Sequence, residues 1–282
     1  MKLLRFGEKG REKAGAIHAD GSIRDISSFI EDIQASTLDS ALLKRLKEID
    51  LAAMPIVEPT VRIAEPVGGI RKFIAIGLNY HDHAEEVGAP IPEEPVIFMK
   101  AVSCIQGPND PVIIPRGATK VDWEAELGIV IGKRGSYVNL HEALDYVAGY
   151  CIVNDVSERN YQMERGGTWD KGKGCDTFGP VGPWLATPDE VADPQSLDVW
   201  LRVNDETMQS GNTRTMIFDV KKIVSYVSEF MTLEPGDVIT TGTPPGVGLG
   251  MTPPRFVQPG DVMTLGISGL GEQRQQVVAF GH

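Results

Sequence analysis

A mainly β chain of the α+β class is what the sequence predicts, on three observations. From Arg71 onward, short apolar runs bounded by Gly, Pro and Asn follow one another. Val121–Ile131 alternates with a period of two, placing Val121, Trp123, Ala125, Leu127, Ile129 and Ile131 on one face of a strand. Helical spacing of apolar residues is confined to short stretches.

In chain order, Met1–Ile30 alternates apolar runs with the turn signals Glu8–Gly10 and Asp20–Gly21, as a small β-meander does. Ser36–Leu51 carries Leu38, Leu42, Leu43, Leu46 and Ile49 at helical spacing. The stretch VEPTVRIAEPVGGI is punctuated by Pro and Gly and reads as a connector, dividing a small N-terminal α+β domain, 1–70, from a second domain, 71–282. In the second domain Phe73–Ile76, Val96–Met99, Val112–Ile114 and Tyr150–Val153 read as strands. Asn139 and Glu142 form a capping box ahead of a helix over Ala143–Ala148. Asp219 caps another, with Ile223, Val224, Val227, Phe230 and Met231 as its buried stripe. LEPGDVITTG and VQPGDVMTLG share P-G-D-V-x-T-x-G, read as a type II turn into a strand, with the two strands paired.

The 282 residues suffice for one large domain or one with an appendage, and 41% hydrophobic with 23% charged residues excludes a disordered chain. No apolar run approaches a membrane span, and the N-terminus does not read as a signal peptide. With 27 basic against 39 acidic residues the net charge is -12, which repels nucleic acid and attracts cations. Cys104, Cys151 and Cys175 form no C-x-x-C and are expected to be inert thiols in a reducing cytoplasm.

Four constellations can carry chemistry. Glu124 and Glu126 share the strand face opposite Trp123, and Asp155 ends the Tyr150–Val153 run. Carboxylates converging from strand ends make a hard oxygen site suited to Mg²⁺ or Mn²⁺, although an exposed acidic strand face fits the spacing equally. In Gly77–Gly88, His83 and Glu86 stand three apart on a short helix, where a carboxylate can orient a histidine as a general base. In the polar, Gly-rich Arg159–Pro180 stretch, Lys171 and Lys173 are candidates to hold an anionic substrate. Thr241–Gly250 lacks the context of a dinucleotide fingerprint and reads as a backbone wall close to a ligand.

Taken together, G-L-N-Y-H-D-H-A-E-E, D-W-E-A-E-L-G-I-V-I-G, N-D-V-S-E-R-N-Y-Q, K-G-C-D-T-F-G-P-V-G-P, M-I-F and T-G-T-P-P-G-V-G, in that order, resemble the fumarylacetoacetate hydrolase family across roughly residues 71–280. The resemblance implies a mixed β-sandwich roll, a homodimer, and a divalent metal, usually Mg²⁺, on Glu124, Glu126 and Asp155. It implies a lid carrying a His83–Glu86 dyad, Lys173 as the substrate-holding lysine, and Gln162 and Thr243 lining the site. Lys100-Ala101-Val102-Ser103 stands where many members have K-P-x-S, leaving the part played by Lys100 and Ser103 open. Gly248–Asp261 is similar to the subgroup that hydrolyses 2,4-diketo-3-deoxy-L-fuconate or L-rhamnonate.

On that resemblance the expected reaction is metal-dependent cleavage of the C3–C4 bond of a diketo acid, giving pyruvate and a hydroxy acid such as lactate. Gln209 and Arg255 are expected to read the substrate's hydroxyls in a polar pocket. Acylpyruvate hydrolysis, oxaloacetate decarboxylation and hydroxymuconate-type isomerisation use the same site, and a homologue that binds without catalysis would have no need of the His83–Glu86 pair.

Overall fold

The structure, a computed structural model, describes residues 1–281. Two mixed β-sheets form its frame, in the mainly β roll expected. The larger has 11 strands. Its main path runs Ile23–Asp25, Lys13–Ile17, Lys2–Phe6, Gly179–Ala186, Val147–Asn154, Ala125–Ile131, Val238–Thr240, Phe73–Gly77 and Val96–Lys100. The smaller, of five strands, runs Glu206–Asn212, Asp198–Val203, Val262–Ile267, Gly271–Ala279 and Val112–Ile114. The central strands Ala125–Ile131 and Val147–Asn154 are buried along their whole length on both faces, and Leu127, Ile129, Ile152 and Val153 belong to one core with Leu201 and Leu265 of the smaller sheet.

The N-terminal meander forms as read; the helix expected over Ser36–Leu51 is shorter, α1 (Ser40–Lys47), with Asp39 as its cap, Leu42 and Leu46 buried, and Leu38 and Ile49 outside it. The meander has no sheet of its own. Leu3 pairs with Leu185, so its strands extend the larger sheet.

Three further expectations about elements change. The helix over Ala143–Ala148 is instead a 3₁₀ turn, Leu140–Tyr146, followed at once by a strand. Asn139 bonds the Glu142 side chain at 3.2 Å rather than capping a backbone N–H, and the run VAGYCIVN is taken by pairing with Ala125–Ile131. The two P-G-D-V turns do form, with Gly236 and Gly260 at φ 82° and 100°, but their strands lie in different sheets and do not pair. The helix capped by Asp219, Val220–Phe230, buries Ile223, Val224 and Val227 yet leaves Phe230 62% exposed. Among the described residues no helix is long and apolar enough to cross a membrane.

Candidate active site

The acids meet where two central strands begin and end. Ala125 and Asn154 are register partners in an antiparallel pair, so the start of one strand lies beside the end of the other. The predicted continuous strand Val121–Ile131 is interrupted at Trp123–Glu124. Side chains satisfy the backbone there: the Glu124 N–H donates to Asn154 Oδ1 (3.2 Å) and the Ala125 N–H to Gln209 Oε1 (2.9 Å). The Asp155 N–H donates to the Glu124 carbonyl at 2.9 Å, fixing the two strand ends together. Glu124, Glu126 and Asp155 therefore bring ligand oxygens within 4.8 Å of one another, and all three are buried. The surface acidic face that spacing alone allowed is thus excluded.

Three buried cations face them. Lys173, from the short helix Asp170–Lys173, donates to Glu124 Oε2 at 2.5 Å and Asp155 Oδ2 at 2.7 Å. Lys100 donates to Asp155 Oδ1 at 2.6 Å and to the Lys173 carbonyl at 2.5 Å. Arg159 spans Asp122 (2.8 Å) and Glu124 (2.7 Å), and its Nη1 donates to Gln162 Oε1 at 3.0 Å. Burial alone would raise the Glu124 carboxyl, but Lys173 and Arg159 outweigh it and hold that group well below the usual carboxylate range. Burial likewise opposes the Lys173 ammonium, and Asp155 and Glu124 reverse this, raising its pKa. Glu126 has only neutral donors, the Thr240 hydroxyl and the Gly242 N–H (2.8 Å). Burial pushes its carboxyl well up, and the charges of Asp155 and Glu124 add to that.

This donor set fits a hard divalent cation. Three buried carboxylate groups converge, and one of them, Glu126, makes no ion pair among the described residues. Glu124, Glu126 and Asp155 would hold it, and it would supply a Lewis acid for a chelating oxygen pair.

Helix α2 (His81–Glu86) places the dyad on the same cavity, of about 460 Å³. His83 Nδ1 lies 2.9 Å from Glu86 Oε2, while Glu86 Oε1 accepts the Gly246 N–H at 2.7 Å. Glu86 is thus held from two sides, which leaves His83 Nε2 as the ring nitrogen not committed to it.

Most of the other candidate residues are placed there too. Gln162 lines the cavity beside Arg159, and Thr243 lines it while its hydroxyl donates to the Ala125 carbonyl (2.9 Å). Lys171 separates from Lys173: it is exposed and donates to the Arg165 carbonyl at 2.6 Å. Two residues fall outside the cavity. Gln209 is fully buried and spends its amide on Ala125, Thr243 and Pro244, and Arg255 pairs with exposed Glu206 at 2.7 Å. Of the segment Thr243–Arg255, expected to form a polar pocket for hydroxyls, Thr243, Gly250 and Thr252 line the cavity together with the apolar Val247, Leu249 and Met251. Sequence reasoning left Lys100 open and gave Arg159, Phe98 and Trp169 no role. The arginine of N-D-V-S-E-R was the available signal for one of them.

The fumarylacetoacetate (FAA) hydrolase C-terminal family model matches residues 72–278. The chain belongs to that family. A curated relative from Burkholderia lata, provisionally named a hydrolase without a substrate, is 58% identical over 276 residues, 98% of either chain. Among solved structures, the fumarylacetoacetate hydrolase of psychrophilic Exiguobacterium antarcticum is 40% identical, with a TM-score of 0.86 over 99% of both chains. The maleylpyruvate hydrolase of Sphingobium sp. SYK-6, in complex with manganese(II) ion and pyruvate, is 33% identical, with a TM-score of 0.81 over 99% of both. This family member is an enzyme of hydrolase or isomerase type.

Proposed function

We propose that this enzyme hydrolyses the C3–C4 bond of a 2,4-dioxo acid, releasing pyruvate and a second carboxylic acid, with Mg²⁺ or Mn²⁺ on Glu124, Glu126 and Asp155. One observation carries the reading: a histidine oriented by a carboxylate lines the same cavity as three converging buried acids and a buried lysine. The cation would supply a Lewis acid for the 1-carboxylate and 2-oxo oxygens. His83, held through Nδ1 by Glu86, accepts a proton at Nε2 from a water that attacks the 4-oxo carbon. The C3–C4 bond breaks, its electron pair passing into the pyruvate enolate. Lys173 offers its ammonium to the negative charge that develops. Protonation of C3 then completes pyruvate.

Two supports exist outside the geometry: the family match and the pyruvate bound to the Sphingobium relative. The sugar-derived tail suggested by Gly248–Asp261 has lost its two expected readers, Gln209 and Arg255, so the proposal stands at the level of the 2,4-dioxo acid. Incubation of the Mg²⁺-loaded enzyme with 2,4-dioxopentanoate, with pyruvate measured by a coupled dehydrogenase, tests it. One pyruvate and one acetate per substrate are expected. Consumption of 2,4-dioxo acids without pyruvate would move the enzyme to isomerisation.

A further inference from the structure

We propose that the mouth of the cavity is a subsite for an uncharged, apolar substrate tail, read by Trp169 and Phe98, which rejects a tail ending in a second carboxylate. This rests on the dioxo-acid reading for where the substrate's head lies, not for what happens to it.

Burial orders the cavity from floor to mouth. Glu126 and Asp155 are 2% and 1% exposed, Trp169, Leu249 and Met251 are half-buried, and Met163 is exposed. The floor acids and Lys173 give way there to an apolar wall, and the Glu86 carboxylate, which accepts from the Gly246 N–H and lies beside Gly250, is a negative charge at its edge. Phe98 stands at that boundary, its ring 5.3 Å from the Lys173 ammonium on one side and 5.2 Å, edge to face, from the Trp169 ring on the other. The position of Trp169 is built into the backbone: a Cβ on Gly77, at the end of the neighbouring strand, would overlap its ring. The indole thus closes over the strand end and lines the cavity together with Val247 and Leu249.

A distal carboxylate needs a cation, and among the described residues no lysine or arginine free of an acid partner lines the cavity. Arg159 and Lys173 are the lysine and arginine side chains that line it among the described residues, and both are engaged by acids at the floor. Near Trp169 in sequence, Lys171 is turned to the Arg165 carbonyl and Arg165 stacks on Tyr161 at 4.5 Å. A carboxylate pressed against Trp169 and Leu249 would lose its water without a partner, whereas an alkyl or aryl tail of the same length would lose only apolar hydration.

Calorimetric titration in Mg²⁺ with 2-oxohexanoate and 2-oxohexanedioate tests this. They share one carbon chain and differ only in the terminal carboxylate. Both lack the 4-oxo group, so neither can be hydrolysed. The monoacid should bind at least about tenfold more tightly. Trp169→Ala should shrink that ratio to about threefold by weakening the monoacid, and Trp169→Phe should preserve it. Equal or tighter binding of the diacid to the unaltered enzyme overturns the subsite, as does a ratio unmoved by Trp169→Ala. The two readings fail separately. A tenfold preference without pyruvate from 2,4-dioxoheptanoate leaves the subsite and removes the hydrolase. Equal pyruvate release from 2,4-dioxoheptanoate and 2,4-dioxoheptanedioate does the reverse.

Discussion

Glu126 and Asp155 sit within one acidic cluster, yet their substitutions should move stability in opposite directions. Asp155 neutralises two buried ammonium groups, Lys100 and Lys173, so Asp155→Asn strips both of a partner. Breaking a buried pair in this way costs about 3–5 kcal/mol. Glu126 makes no close ion pair among the described residues, its longer-range attraction to Lys173 is outweighed by burial and by the charges of Asp155 and Glu124, and a Gln oxygen can still accept from Thr240 and Gly242. Glu126→Gln should therefore raise the melting temperature of the metal-free enzyme while weakening Mg²⁺ binding. Thermal denaturation with and without Mg²⁺ checks both variants, and a lower metal-free melting point for Glu126→Gln would show that the charge is compensated. His83→Ala leaves every acid in place, so Mg²⁺ affinity should hold while kcat falls about 10²–10⁴-fold. Turnover at the original rate would reduce α2 to a cover. The acids themselves were legible, because alternation in one strand and the end of another are local patterns. Their compensation was not: Lys100 lies 55 positions from Asp155, and Arg159 is 37 from Asp122, so nothing in local spacing pairs them. Gln209 misled for a related reason, since a glutamine on a strand looks the same whether it meets ligand or an orphaned backbone N–H.

At the scale of elements, caps and turns were read well where the chain decides locally and poorly where a neighbour does. Asp219 accepts the Lys222 N–H at 2.7 Å, and an amphipathic helix follows as its spacing demands. Asp219→Ala removes that bond, worth about 1 kcal/mol. The expected drop in melting temperature is about 2–4 °C. An unchanged transition would mean that Lys222 finds another acceptor. Asn139–Glu142 offers the same kind of signal, but Val147–Asn154 is claimed by two flanking strands, which outweigh one cap. Sheet membership is the least local property of all. The P-G-D-V copies share their turn and strand chemistry, yet Val238–Thr240 pairs with Phe73–Gly77 while Val262–Ile267 pairs with Gly271–Ala279. The break at Trp123–Glu124 that aims the acids is equally invisible to alternation. It depends on Asn154 and Gln209, which come from other strands.

Across the whole molecule, the connector at 57–70 marks a change of texture but not a gap in the structure. Lys2–Phe6 pairs with Gly179–Ala186, a strand whose other edge pairs with Val147–Asn154, the strand that leads into Asp155. The Met1 ammonium lies 2.9 Å from Glu190, and Arg62 grips Asp110 with both Nε (2.9 Å) and Nη2 (2.6 Å). Leu3 and Leu4 are almost wholly buried, and Ala35 packs against Gly236 at the turn before Val238–Thr240. Removing residues 1–70 would unpair the Leu185–Ala186 end of Gly179–Ala186 and expose the apolar surface beneath it, and an unpaired, apolar strand edge invites association with other chains. A chain of residues 71–282 should therefore aggregate or melt well below the full-length enzyme, although every proposed ligand and catalytic residue remains in it. Expression of that fragment, followed by size-exclusion chromatography, thermal denaturation and Mg²⁺ titration, decides the matter. A monodisperse fragment with the full-length melting point and unaltered Mg²⁺ affinity would show that the N-terminal strands are an appendage. An aggregated fragment would show that the first 70 residues are part of the scaffold that brings Asp155 to Glu124.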